Sequence, residues 1–301
     1  MGQLGYIEPF PNLNSMNLKG KVKSISDEYY NGKSEEGTYF IVGPKLNSTL
    51  KTDTKFIFDS TGNLIQKNIL SINGESIIQD YFIYNDSKPT EVKTKYFHRF
   101  YTYDSIGRIE KETIYTQRVG HIKLNGIELK NDSIRQSVIN YIYNSKNQLY
   151  QKIENGKESV PAYLAQFIYD NSGNLIEERV KQAGFPTEFF KYIHDSNNNL
   201  IRSVWSTKEE GIFEQISYVY QKDKLVLQTW ENFEEGHLEG KITYEYENSL
   251  ETEVIEYDSD GSIREKEILI YEFDQKDNWI KKISVTNGDK IIIVSRTIEY
   301  Y

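Results

Sequence analysis

Cysteine is absent from the 301 residues, so disulfide staples, thiolate metal sites and cysteine nucleophiles are excluded at once. Alanine occurs only at Ala162, Ala165 and Ala183, and proline six times. A chain so poor in the best helix former, yet carrying 36 Ile and 24 Tyr, is written for strands, which β-branched and aromatic side chains favour. Positive charge is in deficit: 36 Lys and Arg stand against 45 Asp and Glu, a net −9, which argues against nucleic acid as a partner. Long apolar runs are missing too. The longest aliphatic stretch, Ile291 to Val294, is far short of the roughly 20 residues of a membrane helix, so no transmembrane segment is expected. Residues 1–17, MGQLGYIEPFPNLNSMN, lack the basic start and apolar stretch of a secretory signal. They read as a flexible lead, as would remain after signal removal, before a single β domain over 18–301.

What is present is a repeat of about 26 residues. An aromatic or His preceding a turn residue recurs at Tyr143, Tyr169, His194, Tyr220, Tyr246, Phe273 and Tyr300, with spacings of 26, 25, 26, 26, 27 and 27. Upstream, Phe58 and Tyr84 are 26 apart, whereas Tyr84 to Tyr103 is 19 and Tyr103 to Tyr143 is 40, a local distortion of the array. The anchors lead into written turns: FIFDSTGNLI from Phe56, YTYDSIGRIE from Tyr101, FIYDNSGNLI from Phe167, YIHDSNNNLI from Tyr192 and YEFDQKDNWI from Tyr271. Asp or Asn opens such turns through side chain to backbone hydrogen bonds, and Gly or Asn later in the turn tolerates φ > 0. A second turn lies between anchors, at Gly156, Gly184, Gly211, Gly236, Gly261 and Gly288. Two turns per repeat leave two strands of roughly 8 to 10 residues, the pattern of a long antiparallel meander of roughly 20 strands.

Alternation fixes the faces. Phe56, Phe82, Tyr101, Tyr141, Phe167, Tyr192, Tyr218, Tyr244 and Tyr271 stand two residues before the anchors and share their face, a continuous aromatic stripe. The residues between them are Ile57, Ile83, Ile142, Ile168, Ile193 and Val219, then Glu245, Glu272 and Glu299, so the other face turns acidic late in the array. Twist accumulates over so many strands, and the sheet is expected to curl into an open shell or a barrel. A membrane barrel has a similar strand rhythm, but segments such as IEKET and IEERVKQ place too many charges outward for a lipid-facing band.

The units Tyr103-Asp104-Ser105-Ile106-Gly107-Arg108 and Tyr169-Asp170-Asn171-Ser172-Gly173-Asn174-Leu175 resemble YD repeats of the RHS family, over roughly residues 51 to 301. The resemblance implies a curling β-sheet, which in large members forms a hollow shell around a toxin domain. The chain has no Asp-Pro pair and nothing like the core segment that ends those shells. It is more similar to small stand-alone members of the Bacteroidetes type, as is its lead-in, Asn17-Leu18-Lys19-Gly20-Lys21-Val22.

Catalytic and metal patterns are sparse. His98, His121, His194 and His237 have no metal-ligand spacing, and Gly32-Lys33-Ser34-Glu35-Glu36-Gly37 does not match a nucleophile elbow. Asp258-Ser259-Asp260-Gly261-Ser262 lacks the sixth-position Gly and twelfth-position Glu of a calcium loop and reads as a turn. No cofactor is implied. One duplication remains: Trp205 with Glu209 and Glu210 recurs 25 residues later as Trp230 with Glu234 and Glu235. The shared repeat position puts both indoles on one side of the sheet, either as core or as a platform for stacking sugar rings. The expectation is a non-catalytic binding or interaction module of the cell envelope or exterior (extracellular, cell-surface or periplasmic), with carbohydrate or protein as partner. The alternatives are a structural component of an RHS-like toxin or secretion system and, more remotely, a glycan-active enzyme.

Overall fold

A computed structural model describes residues 12–46, 52–71, 73–86, 88–95, 97–124, 127–155 and 161–301, with side chains described except at 117–124, 127–136, 155 and 161. The elements are β1 (Val22–Glu35), β2 (Thr38–Lys45), β3 (Thr54–Phe58), β4 (Leu64–Leu70), β5 (Ser76–Asn85), β6 (Lys88–Lys93), β7 (Phe97–Tyr103), β8 (Ile109–Leu124), β9 (Ile127–Tyr143), β10 (Leu149–Asn155) and β11 (Pro161–Tyr169). They continue with β12 (Leu175–Gln182), β13 (Glu188–His194), β14 (Leu200–Thr207), β15 (Gly211–Gln221), β16 (Lys224–Glu234), β17 (His237–Glu247), β18 (Leu250–Asp258), β19 (Ile263–Phe273), β20 (Trp279–Thr286) and β21 (Lys290–Tyr300). No helix long and apolar enough to cross a membrane occurs among the described residues.

From β3 onward each strand pairs antiparallel with the next, so the meander expected from the repeat is the observed topology. The sheet closes on itself. β1 pairs with β3 through Ser24–Asp27 and with β21 through Val22–Asn31, giving a closed barrel of 20 strands. β2 is the strand outside the ring, a hairpin partner to the far half of β1. The barrel seam carries a buried bidentate ion pair, Arg296 Nε and Nη2 to Asp27 at 2.7 and 2.6 Å, with the guanidinium 3.3 Å from the Trp279 ring centre. The irregular spacing between Tyr84 and Tyr143 corresponds to a short β6 and a long β8–β9 hairpin whose ladder runs out to Leu124 and Ile127.

The aromatic stripe faces inward. Phe58, Phe167, Tyr141 and Tyr192 are buried, whereas the residues between anchors, Ile83, Ile142, Ile193 and Val219, are 41 to 50% exposed on the outside. Of the lead, residues 12–17 form a turn bridged to Asn63, with Leu13 and Met16 packed on the cluster of Leu18, Val22, Ile25, Phe58 and Leu64; residues 1–11 lie outside the described residues. A second cluster, Ile283, Val285, Ile291 and Ile293 with Tyr39, lies where the β1–β2 hairpin crosses the last two strands. Gly32 is required there, since a Cβ would sit 2.4 Å from Ile291 Cγ2. Most side chains among the described residues are half-buried or exposed, and few are buried. The barrel wall is thus a thin sheet, much of it wet on both faces.

Candidate functional site

Each sequence-legible turn is built the same way. Asp59 Oδ1 accepts the amides of Thr61 and Asn63, both at 2.9 Å, and Asp104, Asn144, Asp195 and Asp274 repeat the motif. The side chain of Asn174 with its backbone amide holds the Asp170 carboxyl below its ordinary value. The position four residues after the anchor has φ > 0, filled by Gly62, Gly107, Asn147, Gly173, Asn198 and Asp277. Of the second-turn glycines, Gly184, Gly211, Gly236, Gly261 and Gly288 all have φ > 0, while Gly156 falls outside the described residues.

The choice of Tyr at the anchor has a hydrogen-bonding reason. Tyr84, Tyr143 and Tyr169 donate their hydroxyls to the carbonyls of Leu64, Ile109 and Leu149 at 2.9, 2.8 and 2.9 Å. Those carbonyls belong to the residue six after the preceding anchor, so each hydroxyl ties one hairpin to the next. His194 occupies an anchor position with a shorter side chain, and its Nδ1 is buried without a hydrogen-bond partner.

The inner face of β7 to β14 carries a belt of buried charge. Tyr141 donates to Glu112 Oε2 at 2.8 Å, and Arg99 stands 3.3 Å from the other oxygen. Lys152 lies over the rings of Tyr141 and Phe167, and burial pulls its ammonium pKa down. Glu178 is 1% exposed; burial pushes its carboxyl up to about 7, opposed by the Lys152 ammonium. The Tyr192 phenol is pushed up by burial and by the neighbouring Glu178. Glu178 Oε1 nevertheless lacks a hydrogen-bond partner. The belt lies among the rings of Tyr141, Phe167 and Tyr192 on the inner face of the wall. Among the described residues no three His, Asp or Glu side chains converge to hold a metal ion.

The residues singled out by the duplication separate. Cross-strand register puts Trp205 and Trp230 on the inner face, both half-buried. Trp205 stacks on Phe190 with centroids 6.0 Å apart and planes 5° apart, and Phe213 lies 5.0 Å away; its Nε1 is buried without a partner. Glu209 and Glu210 lie exposed at the β14–β15 turn, and Glu234 and Glu235 at the β16–β17 turn. These carboxylates sit at hairpin ends, away from the indole faces along the strand.

Glu209 instead lines a groove on the outer face across β11 to β14, with a volume near 630 Å³, within the usual range for ligand clefts. Its floor is Leu164 and Phe189, and its sides carry Arg179, Lys181, Lys191 and Lys208. Arg179 is ion-paired with Glu177. Glu177 also lines the groove, opposite Lys191 in the β12–β13 register; among the described residues Lys181, Lys191 and Lys208 are held in no ion pair, and all three are exposed. The Lys208 ammonium lies 6.0 Å over the Phe189 ring. Sequence reading misses this groove because its cations come from separate strands, and only an alternation count across β12 and β13 would have gathered them. Elsewhere the outer face sets Lys111, Arg202, Glu245, Lys266 and Glu272 among the exposed aliphatics, so among the described residues no continuous apolar band encircles the barrel.

No family model matches the chain, and no curated protein matches it in sequence. Among solved structures it is similar to TcdB2-TccC3-TEV, with a TM-score of 0.37 and 8% identity over 88% of this chain and 15% of that one. It is also similar to the Photorhabdus luminescens Tc holotoxin pore, with a TM-score of 0.36 and 8% identity over 91% of this chain and 18% of that one. A porin-like protein from Bacteroides uniformis gives a TM-score of 0.36 and 10% identity over 93% of this chain and 98% of that one. The chain thus spans less than a fifth of the two toxin chains. The YD-repeat resemblance continues to rest on the turn motifs.

Proposed function

We propose that the protein is a non-catalytic binding or interaction module of the cell envelope or exterior, using the outer surface of its repeat-built barrel to hold a glycan or protein partner. The observation that carries the reading is the groove over β11 to β14, where three exposed ammonium groups held in no ion pair surround an apolar floor in a chain of net charge −9. Local charge of the sign opposite to the whole favours a specific partner over indiscriminate association. Every strand beneath the groove is paired on both sides, which makes the surface a rigid platform. The buried belt of Glu112, Lys152 and Glu178 serves as internal scaffolding in this reading. Screening the intact protein on glycan and peptide arrays should give saturable binding without product formation. Absence of any hit in both classes would overturn the proposal, and turnover of a bound glycan would replace it with an enzyme.

A further inference from the structure

We infer that the groove receives an acidic segment of a partner protein that also carries an apolar residue, an inference that rests on the binding-module reading above. The cations are placed for a chain of carboxylates. Strand geometry separates Arg179 from Lys181 by roughly 7 Å along β12, and β13 runs beside it at roughly 5 Å. Arg179 is occupied by Glu177, which leaves Lys181, Lys191 and Lys208 as mobile point charges on flexible stems rather than fixed forks. Glu209 at the rim supplies an opposite charge that disfavours uniformly anionic ligands lacking a break in their charge.

Apolar contact is offered at two levels. Leu164 and Phe189 form the floor, and Phe185, 64% exposed, stands on the loop entering β13, two residues before Thr187 at the groove wall. An exposed aromatic near a cationic groove offers an apolar contact to a bound side chain. One observation favours a peptide over a saccharide: the broad indole of Trp205, the surface on which a sugar ring would stack, points to the inside of the barrel. The strands under the groove have no free edge, so the segment engages through its side chains and not by adding a strand.

Fluorescence anisotropy with the full chain and a fluorescein-labelled Glu-Glu-Phe-Glu-Glu-Leu-Glu-Glu peptide tests this. Saturable binding is expected at about 50 mM salt, weakening about tenfold by about 300 mM as the charges are screened. The K181E/K191E variant should lose at least about tenfold and F185A about threefold, with K111E, on a distant part of the outer face, unchanged. All four positions are on the surface, and unchanged thermal melts would confirm that the variants fold. The inference is overturned by no peptide binding at low salt, by affinity unaffected in K181E/K191E, or by polygalacturonate binding the groove more tightly than the peptide. Array hits insensitive to K181E/K191E would remove this inference while leaving the binding-module reading standing. Arrays without hits would remove both.

Discussion

The wall from β9 to β14 and the wall from β15 to β18 follow the same alternation, with aromatics inward and mixed residues outward, yet they differ in how they are held. In the first, Tyr141, Ala165, Phe167, Glu178, Val180 and Tyr192 are buried. In the second, from Lys208 through Ile268, no side chain is buried. The turns differ in parallel. The first wall uses side-chain-capped turns at Asn144, Asp170 and Asp195, the first two tied to the preceding hairpin by the hydroxyls of Tyr143 and Tyr169. The second uses two-residue turns at Lys222-Asp223, Glu235-Gly236 and Asn248-Ser249, with φ > 0 at both positions. A capped turn plus a hydroxyl tie fixes the angle between successive hairpins and brings inward side chains into contact. The two-residue turn closes a hairpin without saying how that hairpin meets the next.

This contrast can be broken by mutation. The largest expected effect is Phe167→Ala, which removes a side chain 2% exposed in the Ala165–Val180 cluster and should cost about 3–5 kcal/mol in urea denaturation. Tyr244→Ala in the wetter wall should cost about 1 kcal/mol, and equal losses would erase the distinction. Next comes Glu178. Its carboxyl is raised from 4.5 to about 7 in the folded barrel, so the folded state binds more protons than the unfolded one between those values. Stability should therefore fall as pH rises through that window, by up to about 3 kcal/mol. Glu178→Gln should flatten the profile and be the more stable protein near pH 8. A parallel fall in both proteins would assign the effect to other groups. The smallest effect is His194→Tyr, which restores a hydroxyl able to reach the Leu175 carbonyl and should add roughly 0.5–1.5 kcal/mol, read as a raised melting temperature.

Much of this architecture is written locally. Asp59, Asp104, Asp170, Asp195 and Asp274 announce their turns because the Asx hydrogen bonds are made within five residues, and inward facing follows from period-two alternation. Closure is not local. It depends on Ile25 meeting Ile298 and Phe56, partners brought together by accumulated twist rather than by any motif. Facing also limited what the duplication could say: Trp205 and Trp230 share a face, but their glutamates sit on turns whose direction alternation does not specify. The groove escaped because Lys181, Lys191 and Lys208 look like ordinary solvated lysines until β12, β13 and β14 lie side by side.

The closing seam has a consequence for how the chain reaches its fold. Every pairing from β3 to β21 joins neighbours in sequence, so hairpins can form and zip in the order they are made, at low contact order. β1 is the exception. One edge finds β2 and β3 early, but the other must wait for β21, and Asp27 meets Arg296 only at that final encounter. The entropic cost of closing so long a loop grows only slowly with its length. Folding should then divide into fast local zippering and one late, long-range step, during which the edges of β1 and β21 are the part of the molecule open to wrong partners.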